Sequence, residues 1–326
     1  MLTVQDVEAA RARIRGYVRH TPLLALPNVL EDLPPRLRLK LENAQVAGSF
    51  KPRGVFNTLL QLDADARQRG VVAASGGNHG VALAYAAHRL GIPATVFLPA
   101  TASADRVARV SRWGAALVQV GSAWDDAHQA ALAFAAEQRL PYVHPFDAPA
   151  TLAGQGTLGL ELLEDVPQMD AVLIAIGGGG LIAGMALAIR EKRPGVRIIG
   201  VEPVGAPSMK AALEAGRVVT LPAVRTIADT LSPRAVSEST LALTQRYVDE
   251  IVLVDDAAMI AGMRWLWTNA NQLVEPSGAA VIAALQTGAV DLHDAKAPVA
   301  LICGGNAAAE QVFDHYAGLA ERAIAR

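Results

Sequence analysis

Three short stretches place glycines directly after a run of small or β-branched apolar residues. "SGGNHG" (75–80) follows "VVAA", "GGGG" (177–180) follows "AVLIAI", and "CGGN" (303–306) follows "PVALI". In open α/β sheets ligands lie beyond the carboxyl ends of the strands, so these loops are where chemistry is expected. Gly177, Gly178, Gly179 and Gly180 precede a helical pattern that begins near Leu181. Without Cβ atoms their N–H groups can converge on an anion at the positive end of that helix, which suits a phosphate. A tight turn with close helix packing is the plainer use of such a run, but it needs fewer glycines. In the first loop, the amides and the Ser75 hydroxyl suit a carboxylate. Asn78 suits either a phenolate-like oxygen or a helix cap, and His79 either catalysis or packing. Cys303 by itself reads as a small buried hydrophobe, raised only by its place beside Gly304 and Gly305. Lys51, in "AGSFKPRG", reads locally as a solvated charge, because a cationic stem is costly to bury.

The phosphate has two readings. Gly178, Gly180 and Ala183 satisfy a dinucleotide pattern G-x-G-x-x-A after a strand, and Glu202 ends the next strand where a ribose-binding acid would lie. A nicotinamide-dependent oxidoreductase of that kind gives no role to "SFKPRG", "SGGNHG" or "CGGN".

The elements that must position these residues follow an alternating pattern from Val71 onward, strand then Ala-rich helix, as in parallel sheets with crossover helices. The class is α/β, with two open, doubly wound sheets. The first series runs "VVAAS", a helix over 78–90, "ATVFLP", a helix over 104–113, "ALVQV", a helix over 124–139 and "YVHP". The second runs "ATLAGQGTLGLELLED", "AVLIAI", "GGGGLIAGMALAIREK", "RIIGVEP", "PSMKAALEAG", "EIVLV", a long helix past Asp256 and "PVALICGGN". The stretch "PYVHPFDAPAT" marks the crossing from one domain to the other. "RLRLKLEN" reads as a strand of the second sheet, which makes the first series an insertion.

Composition narrows the partners. The chain has 326 residues, 52% hydrophobic and 18% charged, with a net charge of −2. That allows a large core and two domains, and no basic run with interleaved aromatics offers a nucleic-acid surface. The glycine-broken apolar stretches read as buried strand and helix, and the first 16 residues as an amphipathic helix without a signal core. The expectation is a cytoplasmic protein with a small-molecule partner. One cysteine excludes an internal disulfide, and the seven histidines lack structural-zinc spacing.

Taken in order, "SFKPRG", "SGGNHG", "GGGG", "EPSGA" and "CGGN" resemble the fold-type II pyridoxal-phosphate enzymes, in the branch of the serine/threonine dehydratases and serine racemases. The resemblance runs from "HTPL" at His20 to "CGGN". It implies that Lys51 forms the Schiff base with pyridoxal 5'-phosphate, Phe50 lies against its ring and Asn78 contacts its phenolic oxygen. It also implies that Gly177, Gly178, Gly179 and Gly180 bind its phosphate, Glu275 sits near its ring and Cys303 faces its pyridine nitrogen. Ser75, Gly76 and His79 would line the substrate-carboxylate loop. The implied layout is a large cofactor-binding domain over 1–47 plus 148–326 and a small substrate-side domain over 48–147, in a homodimer. The implied reaction is loss of water and ammonia from a β-hydroxy amino acid such as L-threonine or L-serine. Racemisation and β-replacement are the alternatives within the fold.

Departures from the family pattern bear on reaction and metal. Related racemases carry a second serine where this chain has Gly76. The family's Mg²⁺ or Ca²⁺ site resembles "EPVGAPS", with Glu202 and the Ala206 carbonyl, but its usual acidic position is Ser208. In "TIADTL", Thr230 replaces a glycine. The chain ends soon after "CGGN", which leaves no room for a C-terminal regulatory domain.

Overall fold

The computed structural model describes residues 2–26 and 33–306, so the part of the large-domain expectation beyond Asn306 lies outside the described residues. Among the described residues, nine strands form two sheets. They are β1 (Leu23–Ala25), β2 (Arg38–Leu41), β3 (Val71–Ala74), β4 (Ala94–Leu98), β5 (Ala116–Gln119), β6 (Ala171–Ala175), β7 (Arg197–Pro203), β8 (Glu250–Val254) and β9 (Pro298–Ile302). The larger sheet has the order β1-β2-β9-β6-β7-β8 and the smaller β3-β4-β5. All pairings are parallel except β1 with β2. Every residue of β3, β6 and β9 is buried, as their unbroken apolar runs require when helices cover both faces.

Strand β2 stops at Leu41, and Glu42 turns inward in a short 3₁₀ segment, Glu42–Ala44. The helices anticipated at 104–113 and 124–139 span Ala104–Ser111 and Trp124–Gln138. Small residues let the helices that carry the site approach closely. A Cβ on Gly154, in the helix Pro149–Asp165, would come within 2.5 Å of the Gly54 Cα in the helix Pro52–Leu59. One on Gly184, in the helix Gly180–Lys192, would come within 2.8 Å of the Gly156 amide. Lys51 caps the helix thus drawn in.

Beneath Lys51 lies a buried ionic floor. Arg53 donates to Glu42 through Nε (2.8 Å) and Nη2 (2.7 Å), and to Glu161 through Nη1 (2.8 Å). Lys40 Nζ lies 2.7 Å from Glu161 and 2.6 Å from Asp165. Burial disfavours the charged form of Glu161, yet the Arg53 and Lys40 cations overcome it and bring its pKa down to about 2. His20, Glu161 and Asp165 offer ligand atoms within 4.8 Å of one another, but Lys40 already supplies the cation there.

Candidate active site

Phe50, Lys51, Asn78, Gly177, Gly178, Gly179, Gly180, Glu275 and Cys303 line one cavity, together with Phe146, Thr230, Leu231 and Ser277. The glycine run forms a cup closed on three sides. A Cβ on Gly177 would come within 2.8 Å of the Thr230 carbonyl, and one on Gly179 within 2.5 Å of Met209 Cε. One on Gly178 would run into the Phe146 ring, and one on Gly180 would meet the Phe146 carbonyl at 2.8 Å. Gly179 also has φ +85°, the left-handed region that favours glycine. The helix Gly180–Lys192 begins at this cup and directs its positive end there.

Lys51 Nζ donates to the Pro145 carbonyl at 2.8 Å and lies 5.0 Å from the Phe50 ring centroid. Burial lowers its pKa to about 8, against the opposing pull of Glu275, so about a tenth of the amine is neutral at pH 7. Cys303 Sγ donates to the Ser277 carbonyl at 3.4 Å, and burial pushes its pKa up to about 12, so it is a neutral thiol. Glu275 accepts from Asn78 Nδ2 (2.6 Å) and Ser277 Oγ (2.5 Å), while burial raises its pKa. Asn78 is not a helix cap. Gly77 holds that position, and the Asn78 amide oxygen accepts from Asn306 Nδ2 at 2.7 Å.

Ser75, Gly76 and His79 stand beside this cavity rather than among its lining residues. Ser75 Oγ accepts from Gly77 N at 3.2 Å. A Cβ on Gly76 would meet nothing closer than 3.6 Å, so packing does not impose the missing side chain. His79 Nε2 lies 2.8 Å from the Val143 carbonyl, and its buried Nδ1 has no partner. Burial, then the charge of Lys51, hold this imidazole down to about 3, so it is neutral.

Glu202 is fully buried, and its two carboxylate oxygens accept from Met209 N (2.8 Å) and Lys210 N (2.9 Å) at the start of the helix Ser208–Ala215. Ala206 and Ser208 are buried beside it, with no hydrogen-bond geometry at the Ser208 hydroxyl. One carboxylate already engaged by two amides, one carbonyl and one hydroxyl do not fit a hard divalent cation.

The segment read from the sequence as a crossing point also forms a wall of the site. Val143 meets His79, Pro145 meets Lys51, and Phe146 covers Gly178 and Gly180. Its "HPF" triplet between two glycine-loop motifs was the available signal, but its partners are remote in sequence. A second, open cleft of about 870 Å³ includes Arg11, Arg15, Arg19, Glu164 and Lys192. Arg11 pairs there with Glu164 and Lys192 with Glu8, and the cleft includes none of the site residues named from the sequence.

Among the described residues, no helix is long and apolar enough to cross a membrane. A family model described as "Pyridoxal-phosphate dependent enzyme" matches residues 14–304. The chain is 37% identical to an L-threonine ammonia-lyase of Thermotoga maritima, over 94% of this chain and 76% of that protein. It is 39% identical to a phenylserine dehydratase of Ralstonia pickettii, over 96% and 97%. Its fold matches the solved structure of maize serine racemase with a TM-score of 0.94 and 32% identity, covering 99% of each chain. A cup of glycines, a buried lysine of lowered pKa and matches of this extent lead to one assignment: the chain belongs to the pyridoxal-phosphate dependent enzymes of fold type II.

Proposed function

We propose that this enzyme is an ammonia-lyase that dehydrates a β-hydroxy amino acid, such as L-threonine or L-serine, to a 2-oxo acid and ammonia. The observation that carries the reading is the pairing, in one cavity, of Lys51 with its pKa lowered to about 8 and Cys303 held as a neutral thiol. The residues present fit pyridoxal phosphate. The glycine run, packed so closely against Thr230, Phe146 and Met209 that no side chain fits, would offer its backbone amides to the phosphate, Asn78 would take the phenolic oxygen, and Lys51 would hold the group covalently through Nζ. Phe50 and Glu275 would lie beside the ring and Cys303 would face its nitrogen. When bound, the cofactor supplies an electron sink for the pair left at Cα as its proton departs.

The chain's own residues do the rest. Amides of residues 75–80, with the Ser75 hydroxyl, orient the substrate carboxylate, while the neutral His79 ring gives its Nε2–H to the Val143 carbonyl. The Lys51 amine removes the Cα proton and, as its ammonium, returns it to the β-hydroxyl, which leaves as water; the enamine that remains takes up water and releases ammonia as the 2-oxo acid forms. A neutral thiol draws less charge into the ring than a carboxylate partner would, which favours prompt elimination. With no hydroxyl at Gly76 to return a proton to the opposite face, elimination stands ahead of racemisation. No step is derived through a metal ion at Glu202.

Among the described residues, strand membership supports a smaller unit within 48–147 around β3, β4 and β5, and a larger one built from residues before 48 and after 147. A homodimer belongs to the same proposal and rests on the family resemblance. The test is 2-oxo acid release from a panel of L-serine, L-threonine and phenylserine by the yellow holoenzyme, with borohydride reduction placing the label on Lys51. Release from at least one of the three is expected. A protein that releases none, or that carries the label elsewhere, overturns the reading.

A further inference from the structure

The loop 75–80 contains Gly76, Gly77 and Gly80, and glycine-rich backbone is not held in one conformation by its own sequence. Asn78 and His79 are held by side-chain bonds further on, so the entry of the loop depends on the peptide at which it leaves β3. Along that strand, Val72 N donates to Pro141 O at 3.0 Å, and Val72 O accepts from Val143 N at 2.8 Å. Ser75 N turns the other way, to Phe97 O on β4 at 2.9 Å. By the two-residue period of a strand, Ala74 faces the side of Val72.

There the Ala74 carbonyl accepts from the indole Nε1 of Trp124 at 3.0 Å, while the Ala74 amide faces the Tyr142 phenol. The indole is a rigid donor with no acceptor role, so it fixes a direction as well as a distance. Trp124 stacks on His128, four residues along the helix Trp124–Gln138, with ring centroids 4.6 Å apart and planes within 11°. His128 Nδ1 lies 2.7 Å from the Tyr142 phenol oxygen. Trp124, His128 and Tyr142 thus close a ring around the peptide that launches the loop.

We propose that Trp124 is a positioning residue, holding the amides of residues 75–80 for the substrate carboxylate through its bond to the Ala74 carbonyl. This rests on the reading that the loop binds that carboxylate. Trp124 is half-buried on a helix, and Trp124→Phe keeps an aromatic ring at the position while removing the N–H donor together with part of the indole's area.

In the Trp124→Phe holoenzyme, KM for the panel substrate turned over best by the wild type should rise ~3- to 10-fold, with kcat within about twofold. The cofactor absorbance band should be unchanged, and amide hydrogen exchange at residues 76–80, measured without substrate, should quicken. Unchanged exchange there overturns the proposal, as does an unchanged KM or loss of the cofactor band. Should the wild type turn over none of the panel, the function reading fails alone. Faster exchange at 76–80 would then still support the anchoring role, and unchanged exchange would still overturn it.

Discussion

Lys40 and Lys51 lie on either side of two short 3₁₀ segments, Glu42–Ala44 and Val46–Gly48, and both carry an amine away from bulk water. Lys40 is fully buried, with its ammonium against Glu161 and Asp165 and a hydrogen bond to the Thr21 carbonyl at 2.8 Å. Lys51 donates to a neutral carbonyl, and burial brings its pKa to about 8. The same residue type therefore serves two ends. Where carboxylates meet the buried amine, ion pairs tie elements together. Where a carbonyl meets it instead, burial lowers the pKa and makes the neutral amine accessible, the form that the proposed nucleophile and base needs.

The sharpest way to break this comparison is Lys51→Ala. It should lower 2-oxo acid release by roughly 10⁴-fold or more while circular dichroism and the melting temperature stay near those of the wild type. A variant that unfolds instead would place Lys51 with the structural cation.

Glu161→Gln addresses the other side. It leaves Arg53 and Lys40 short of their shared carboxylate, and should cost about 3–5 kcal/mol in chemical denaturation. The pH dependence has the same origin. Glu161 has a pKa of about 2 in the folded protein against an ordinary 4.5, so its contribution is fully present above about 4.5 and is lost as pH falls toward 2. Wild-type stability should fall over that window, and Glu161→Gln should flatten the fall.

A third experiment titrates the nucleophile. Capture of pyridoxal phosphate by cofactor-free protein requires neutral Lys51, so its rate should rise about tenfold per pH unit below pH 8 and level off above. A midpoint near 10.5 would show an amine that burial does not perturb.

The smallest effect is expected at Cys303→Ser, which exchanges one neutral donor to the Ser277 carbonyl for another. Its kcat/KM should stay within about tenfold of the wild type. A loss of more than about 100-fold would assign the thiol a chemical step of its own.

Much of the site was legible because it depends on backbone. Glycines after apolar strands mark places where a side chain cannot fit, and the structure gives the reason at Gly177, Gly178, Gly179 and Gly180: Thr230, Phe146 and Met209 already fill those directions. The strands were legible for a similar reason, since β3, β6 and β9 are buried on both faces and spell unbroken apolar runs.

Residues that act through distant partners were not legible. Arg53 sits two positions from Lys51, but its meaning depends on Glu161, 108 residues away. Trp124 reads as the start of an amphipathic helix until its indole is found on Ala74, 50 residues earlier. Pro145 reads as part of a linker until its carbonyl meets Lys51, 94 residues earlier. By itself, the sequence determined the class of fold, the glycine loops and the order of motifs that sets Lys51 apart, because these follow from local backbone preference and periodicity. Only the tertiary structure separated the two lysines, placing Lys40 against Glu161 and Asp165 and Lys51 against the Pro145 carbonyl with its pKa lowered to about 8. That distinction lies in which groups surround each amine in space, and no local pattern encodes it.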